Sequence, residues 1–129
     1  MINATVNAGV SDIYKDVILD LYRHPANRKT LADFDAKYRE INASCGDDVE
    51  VALKFDNNGR IADIGHQGQG CAISQAGVSL ATDFVKGKTK EEIMAINDGQ
   101  GLELLPIPIS YGRSKCALLG LKAIKNALK

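Results

Sequence analysis

A chain of 129 residues suits one domain, and 45% apolar content is enough for a single core. Sixteen basic residues balance sixteen acidic ones, tryptophan is absent and aromatics are few, which argues against a nucleic-acid partner. No apolar run approaches the ~20 residues of a membrane helix, and three cysteines, an odd number, do not suggest a secreted disulfide framework.

Met1 to Val10 lacks the basic start and apolar middle of a signal peptide and reads as a flexible tail on a cytoplasmic protein. Residues 11–129 read as a single domain. Ser11 to Arg23 has helical spacing, with Ser11 or Asp12 as cap and Ile13, Val17, Ile18 and Leu21 along one face. Pro25 ends it at His24, which reads as a helix-end residue near the last carbonyls. A polar connector precedes a first strand over Lys37 to Ala43. Val49 to Phe55 alternates apolar and polar residues, the period of a half-buried strand. Asp56-Asn57-Asn58-Gly59 predicts a hairpin turn, and Arg60 to Gln67 the return strand, with a bulge at Ala62-Asp63-Ile64.

A helix is expected over Ile73 to Lys86, with Ile73, Ala76, Leu80, Phe84 and Val85 inward and Gly87 as terminator. Thr89-Lys90-Glu91-Glu92 matches a capping box and starts a short helix ending near Asn97. Asn97-Asp98-Gly99 predicts a turn, and Leu102 to Ile109, apolar with two prolines, a short helical or extended connector. The last helix runs from about Ser114 to Leu128, with Ala117, Leu121, Ile124 and Leu128 inward. The order predicts an α+β fold: a three-stranded antiparallel sheet packed on one face by the N-terminal helix and the C-terminal helices.

The cysteines sit where chemistry is favoured. Cys45 lies in a turn, with Asp47 two residues on, so a thiolate and a carboxylate can reach one ion. Cys71 opens a helix after a glycine-rich loop, where the helix dipole favours thiolate. Cys116 lies in the first turn of the last helix beside Lys115 and near Arg113, which also favour thiolate. Three sulfurs and one oxygen suit a four-coordinate zinc ion or a small iron–sulfur cluster. The competing reading is three buried cysteines acting as small apolar side chains. His66 is a further ligand candidate, but its place on a strand reads as a solvated side chain. The glycine run from Gly65 to Gly70 lacks a P-loop lysine, so it does not read as a nucleotide site.

These motifs resemble the IscU/SufU/NifU N-terminal family of iron–sulfur assembly scaffolds over about Asp12 to Leu128. The likeness rests on Ser44-Cys45-Gly46-Asp47, Gly70-Cys71-Ala72-Ile73-Ser74 and Lys115-Cys116-Ala117-Leu118, and on His24-Pro25-Ala26-Asn27 where the family has an Asn-Pro-x-Asn turn. The resemblance implies a transient [2Fe–2S] cluster or zinc held by Cys45, Asp47, Cys71 and Cys116. It also implies a cysteine desulfurase that delivers sulfur to Cys116 or Cys45, and apo-protein or carrier recipients. Lys115 stands where the IscU branch has histidine, and Arg113-Ser114-Lys115-Cys116 is more like the zinc-binding SufU branch, without that branch's insertion before it. Leu105-Pro106-Ile107-Pro108 only loosely echoes the chaperone-recognition segment of the IscU branch.

Overall fold

The computed structural model describes residues 15–129. The expected tail over residues 1–10, and the helix-start residues Ser11, Asp12 and Ile13, lie outside them. Residues 15–23 form helix α1. Three strands follow, β1 (Ala36–Asn42), β2 (Asp47–Phe55) and β3 (Ile61–Gln69). Helices α2 (Ala72–Val85), α3 (Lys90–Met94) and α4 (Asp98–Glu103) lead through a 3₁₀ turn (Tyr111–Arg113) to α5 (Ser114–Ala127). Among the described residues no helix is long and apolar enough to cross a membrane.

The strands form an antiparallel meander in the order β1-β2-β3. The turn between β2 and β3 is built as its residues require: the Asp56 carboxylate accepts the Asn58 and Arg60 N–H groups at 2.8 and 3.0 Å. In the register, Lys54 pairs with Asp63 and Phe55 with Ile61, so Ala62 is the bulged residue. The inward row Val49, Val51 and Leu53 is fully buried against α2 and α5, each side chain contributing about 1.5–3 kcal/mol. The outward row is polar and carries surface ion pairs such as Lys37–Glu50 (3.5 Å) and Lys54–Asp33 (3.0 Å).

Helices α2 and α5 pack closely through small residues. A Cβ on Gly77 would meet the Ala117 carbonyl oxygen at 2.5 Å, and one on Gly120 would meet Val78 Cα at 2.6 Å. This approach of two backbones brings the starts of α2 and α5, and hence Cys71 and Cys116, to the same end of the molecule. Helix α1 joins the helical layer through Ile18, which clusters with Ala76, Leu105 and Ala117.

Three expectations are corrected. Val17 and Phe84 are exposed rather than inward; the Phe84 ring instead lies beneath Lys88 Nζ, 4.5 Å from its centroid. Asn97-Asp98-Gly99 opens a helix instead of turning. The Asn97 side chain accepts the Gln100 N–H at 2.8 Å and the Gln100 side chain accepts the Asn97 N–H at 2.9 Å, a second capping box. His66 is buried, not solvated: its Nε2 lies 2.7 Å from the Ala26 carbonyl oxygen and its Nδ1 has no partner among the described residues. Burial holds its pKa below the usual imidazole value, and the nearby Arg28 charge adds to this against the Ala26 bond. The backbone there is tied as well, His66 N–H donating to Asn27 O at 3.0 Å, so the 24–30 connector covers the outer edge of β3.

Candidate metal centre

Four short segments meet at one end of the fold. The first is the turn between β1 and β2, where Gly46 adopts φ +72° and the Cys45 N–H donates to Asn42 O at 3.2 Å. This holds Cys45 exposed at the rim. Asp47, the first residue of β2, points inward and is completely buried. Cys71 is the N-cap residue of α2 and is half-buried. Cys116 lies in the first turn of α5 and is buried.

Cys45 Sγ, a carboxylate oxygen of Asp47 and Cys116 Sγ all lie within 4.8 Å of one another. The two sulfurs are 3.2 Å apart, Cys116 donating to Cys45. Cys71 enters through its backbone: its N–H donates to Asp47 Oδ1 at 3.0 Å. The Ser74 hydroxyl lies 3.2 Å from the same oxygen and 3.0 Å from the Cys71 carbonyl oxygen, which it can also reach as donor. One carboxylate oxygen is therefore held by α2, while Oδ2 is buried with no hydrogen-bond partner among the described residues. A buried acceptor with nothing to accept from is costly, and it lies among thiols whose sulfur atoms are ligand-competent. A divalent cation would satisfy that oxygen, so the residues present fit a sulfur-and-oxygen metal site.

Burial pushes the Cys116 thiol far above its ordinary value; its bond to Cys45, the Asp47 carboxyl and the charge of Cys71 add to this. Arg113 and Lys115, expected to favour thiolate, are not among the groups that set this direction. Both side chains are exposed, turned to water, and neither makes an ion pair among the described residues. A bound cation reverses the balance, because it attracts the negative charge that the buried site otherwise resists.

The sequence profile of the NifU-like N-terminal domain matches residues 13–129. The chain belongs to this family. Relatives include an iron–sulfur cluster assembly scaffold protein IscU of Haemophilus influenzae, 35% identical over 89% of this chain and 92% of that protein. The zinc-dependent sulfurtransferase SufU of Bacillus subtilis is 29% identical over 95% of this chain and 93% of its own. The solved structure of an assembly scaffold protein for the SUF system of Fervidobacterium islandicum superposes with a TM-score of 0.73, at 27% identity over 87% of this chain and 93% of that one.

In this NifU-like domain two supporting residues were not singled out from sequence. Ser74 sits at the third position of α2, where a hydroxyl can turn back to the cap. Asn42 ends β1 and its Nδ2 lies 3.8 Å from Cys116 Sγ. Gly70 matters by close approach: a Cβ there would fall 2.5 Å from Asp47 Oδ1 and nearer still to Ser74 Oγ. His66 and His24 are not at the centre; the first is held by Ala26 and the second is exposed on the connector after α1.

Proposed function

We propose that this NifU-like domain is an iron–sulfur cluster assembly scaffold, accepting sulfur from a cysteine desulfurase and building a transient [2Fe–2S] cluster for transfer to apo-proteins or carriers. The observation that carries the reading is the convergence of Cys45, Asp47 and Cys116 on one point, with a buried Asp47 oxygen left unpartnered. Cys71, at the N-cap of α2, is assigned as the third sulfur ligand. On this reading the domain holds and passes on its cargo rather than turning over a substrate.

Exposure supports Cys45 as the first sulfur acceptor, since a bulky donor can reach it directly. Its thiolate attacks the outer sulfur of the donor's persulfide. A new S–S bond forms, the donor's S–S bond breaks, and the donor cysteine leaves as thiolate with the electron pair. Cys116, 3.2 Å away, is placed to take the sulfane sulfur by the same exchange. Anaerobic incubation with ferrous iron and sulfide should give a coloured protein with charge-transfer bands. A colourless product, with Cys45, Cys71 and Cys116 all reduced, would overturn the scaffold reading.

A second reading is favoured by Lys115 and Arg113, exposed cations beside Cys116. It is a zinc-bound sulfur relay that stimulates a desulfurase, a sulfurtransferase activity. Zinc bound by the three thiolates and the Asp47 carboxylate supplies charge neutralisation for the thiolates. Protein purified without added iron should then carry about one zinc per chain. Zinc content and desulfurase stimulation that both survive Cys116→Ser would exclude it.

A further inference from the structure

The chain is neutral as a whole, yet its last 26 residues hold five cations and no aspartate or glutamate. Four of these cations, Lys115, Lys122, Lys125 and Lys129, recur at seven-, three- and four-residue steps. The three on α5 fall within an arc of about 80° and span about 15 Å, and Lys129 follows just past the end of that helix. They line one side of an open groove of about 690 Å³. Its floor is apolar, built from Ile41, Met94, Leu118 and Leu121. Ile41 is 57% exposed and Met94 36%, large apolar side chains left open to water. Among the described residues one carboxylate, Asp98, lines the groove.

Little inside the domain neutralises the stripe. Lys122 faces Glu40 at 3.8 Å, and Lys125 donates to the Ile96 carbonyl oxygen. Lys115 and Lys129 make no ion pair among the described residues. The groove is continuous with the thiol site, because Asn42, Ser114 and Lys115 line it while Asn42 also reaches Cys116.

We propose that this groove docks an acidic amphipathic segment of a protein partner, its apolar side chains on the Ile41–Met94 floor and its carboxylates on the α5 lysines. Charge complementarity selects the occupant. Among the described residues no arginine and no aromatic side chain lines the groove, so the features that read bases or stack them are missing there. A second copy of this chain would bring lysine to lysine. The α5 part of the stripe suits about three turns of helix, or four to five extended residues. Docking there holds the partner beside the exposed Cys45 rim without using a metal ligand.

The test uses the full chain, isotope-labelled, and a synthetic 14-residue peptide with leucines at helical spacing and glutamates elsewhere. Amide shifts should concentrate at Ile41, Met94, Leu118 and Lys122, and affinity should fall steeply with added salt. Lys122→Gln combined with Lys129→Glu should weaken binding by about tenfold or more, and Met94→Asp should do the same by spoiling the floor. Circular dichroism and the amide spectrum confirm that each variant is folded. The inference is overturned if a peptide with lysine in place of glutamate, or a 14-base-pair DNA duplex, binds equally well. It is also overturned if the shifts map elsewhere, if the chain self-associates through this face, or if neither variant alters binding. No cluster or zinc chemistry enters the readout, so this result and the scaffold reading fail independently.

Discussion

Replacing Asp47 by alanine separates a ligand from a structural carboxylate. In the metal-free protein the change acts in two directions. The Cys71 N–H loses its acceptor, which costs about 1–3 kcal/mol where the group stays dry. The Ser74 hydroxyl keeps the Cys71 carbonyl at 3.0 Å and loses little. Against this, a buried oxygen without a partner disappears, a gain of similar size. The net change in metal-free stability should therefore stay within about 2 kcal/mol. With zinc the outcome differs. Groups that only support a metal ligand are typically worth about 10–100-fold in affinity, so a ligand itself should be worth about 100-fold. At saturating zinc that removes about 2.7 kcal/mol of metal-linked stability, or roughly 10 °C of the zinc-induced rise in Tm for a chain of this size. Thermal scans of wild type and Asp47→Ala, each with chelator and with zinc, read both quantities. A metal-free mutant that loses more than about 3 kcal/mol, with an unchanged zinc increment, would refute the reasoning and make Asp47 a folding residue.

Other expectations follow from the same geometry. Gly70→Ala should weaken zinc binding and destabilise the fold by about 2 kcal/mol or more, because the new methyl meets Asp47 Oδ1 and Ser74 Oγ; chelator competition and denaturant titration check it. In the metal-free protein, alkylation should proceed in the order Cys45, Cys71, Cys116, following exposure and the raised Cys116 thiol, and zinc should slow all three; mass spectrometry after timed labelling reads the order. His66 has its pKa lowered in the fold by burial, so the unfolded chain binds more protons below about pH 6.5. The neutral imidazole's contribution is complete above that pH and is lost as pH falls toward the lower folded value. His66→Gln should flatten this acid limb in denaturant titrations of the metal-free protein; an unchanged limb would contradict the buried assignment.

The parts of the fold that sequence made legible are those governed by local rules. Alternation in Val49 to Phe55, the Asp56–Gly59 turn, the bulge at Ala62 and the Thr89 capping box each have a short-range signature. The inward row of α5, Ala117, Leu121, Ile124 and Leu128, is buried as its spacing requires. The misses arise where two local rules compete or where tertiary packing decides. Asn97-Asp98-Gly99 satisfies both a turn and a helix cap, and Gln100 three residues on is the deciding signal. Phe84 has the period of an inward residue, but the close approach at Gly77 and Gly120 rotates α2 so that small residues face α5. The approach of Cys45, Asp47 and Cys116 to one point has a local trace, since each stands in a turn, at a strand start or at a helix start. The upward push on the Cys116 thiol was not legible, since it comes from burial and from Cys45 and Asp47, which are distant in the chain, while its sequence neighbours Arg113 and Lys115 point to water. The buried His66 was hidden for the same reason: the connector that covers it is distant in the chain.

The most direct test is X-ray absorption at the zinc edge of the zinc-loaded full chain, alone and as Cys71→Ser. Cys45, Asp47 and Cys116 form the compact group, and Cys71 is assigned to complete it. Three sulfurs at about 2.3 Å and one oxygen at about 2.0 Å are expected, falling to two sulfurs in the variant. Two sulfurs in the wild type, or a sulfur count that Cys71→Ser leaves unchanged, would contradict a centre built from three cysteines and one aspartate.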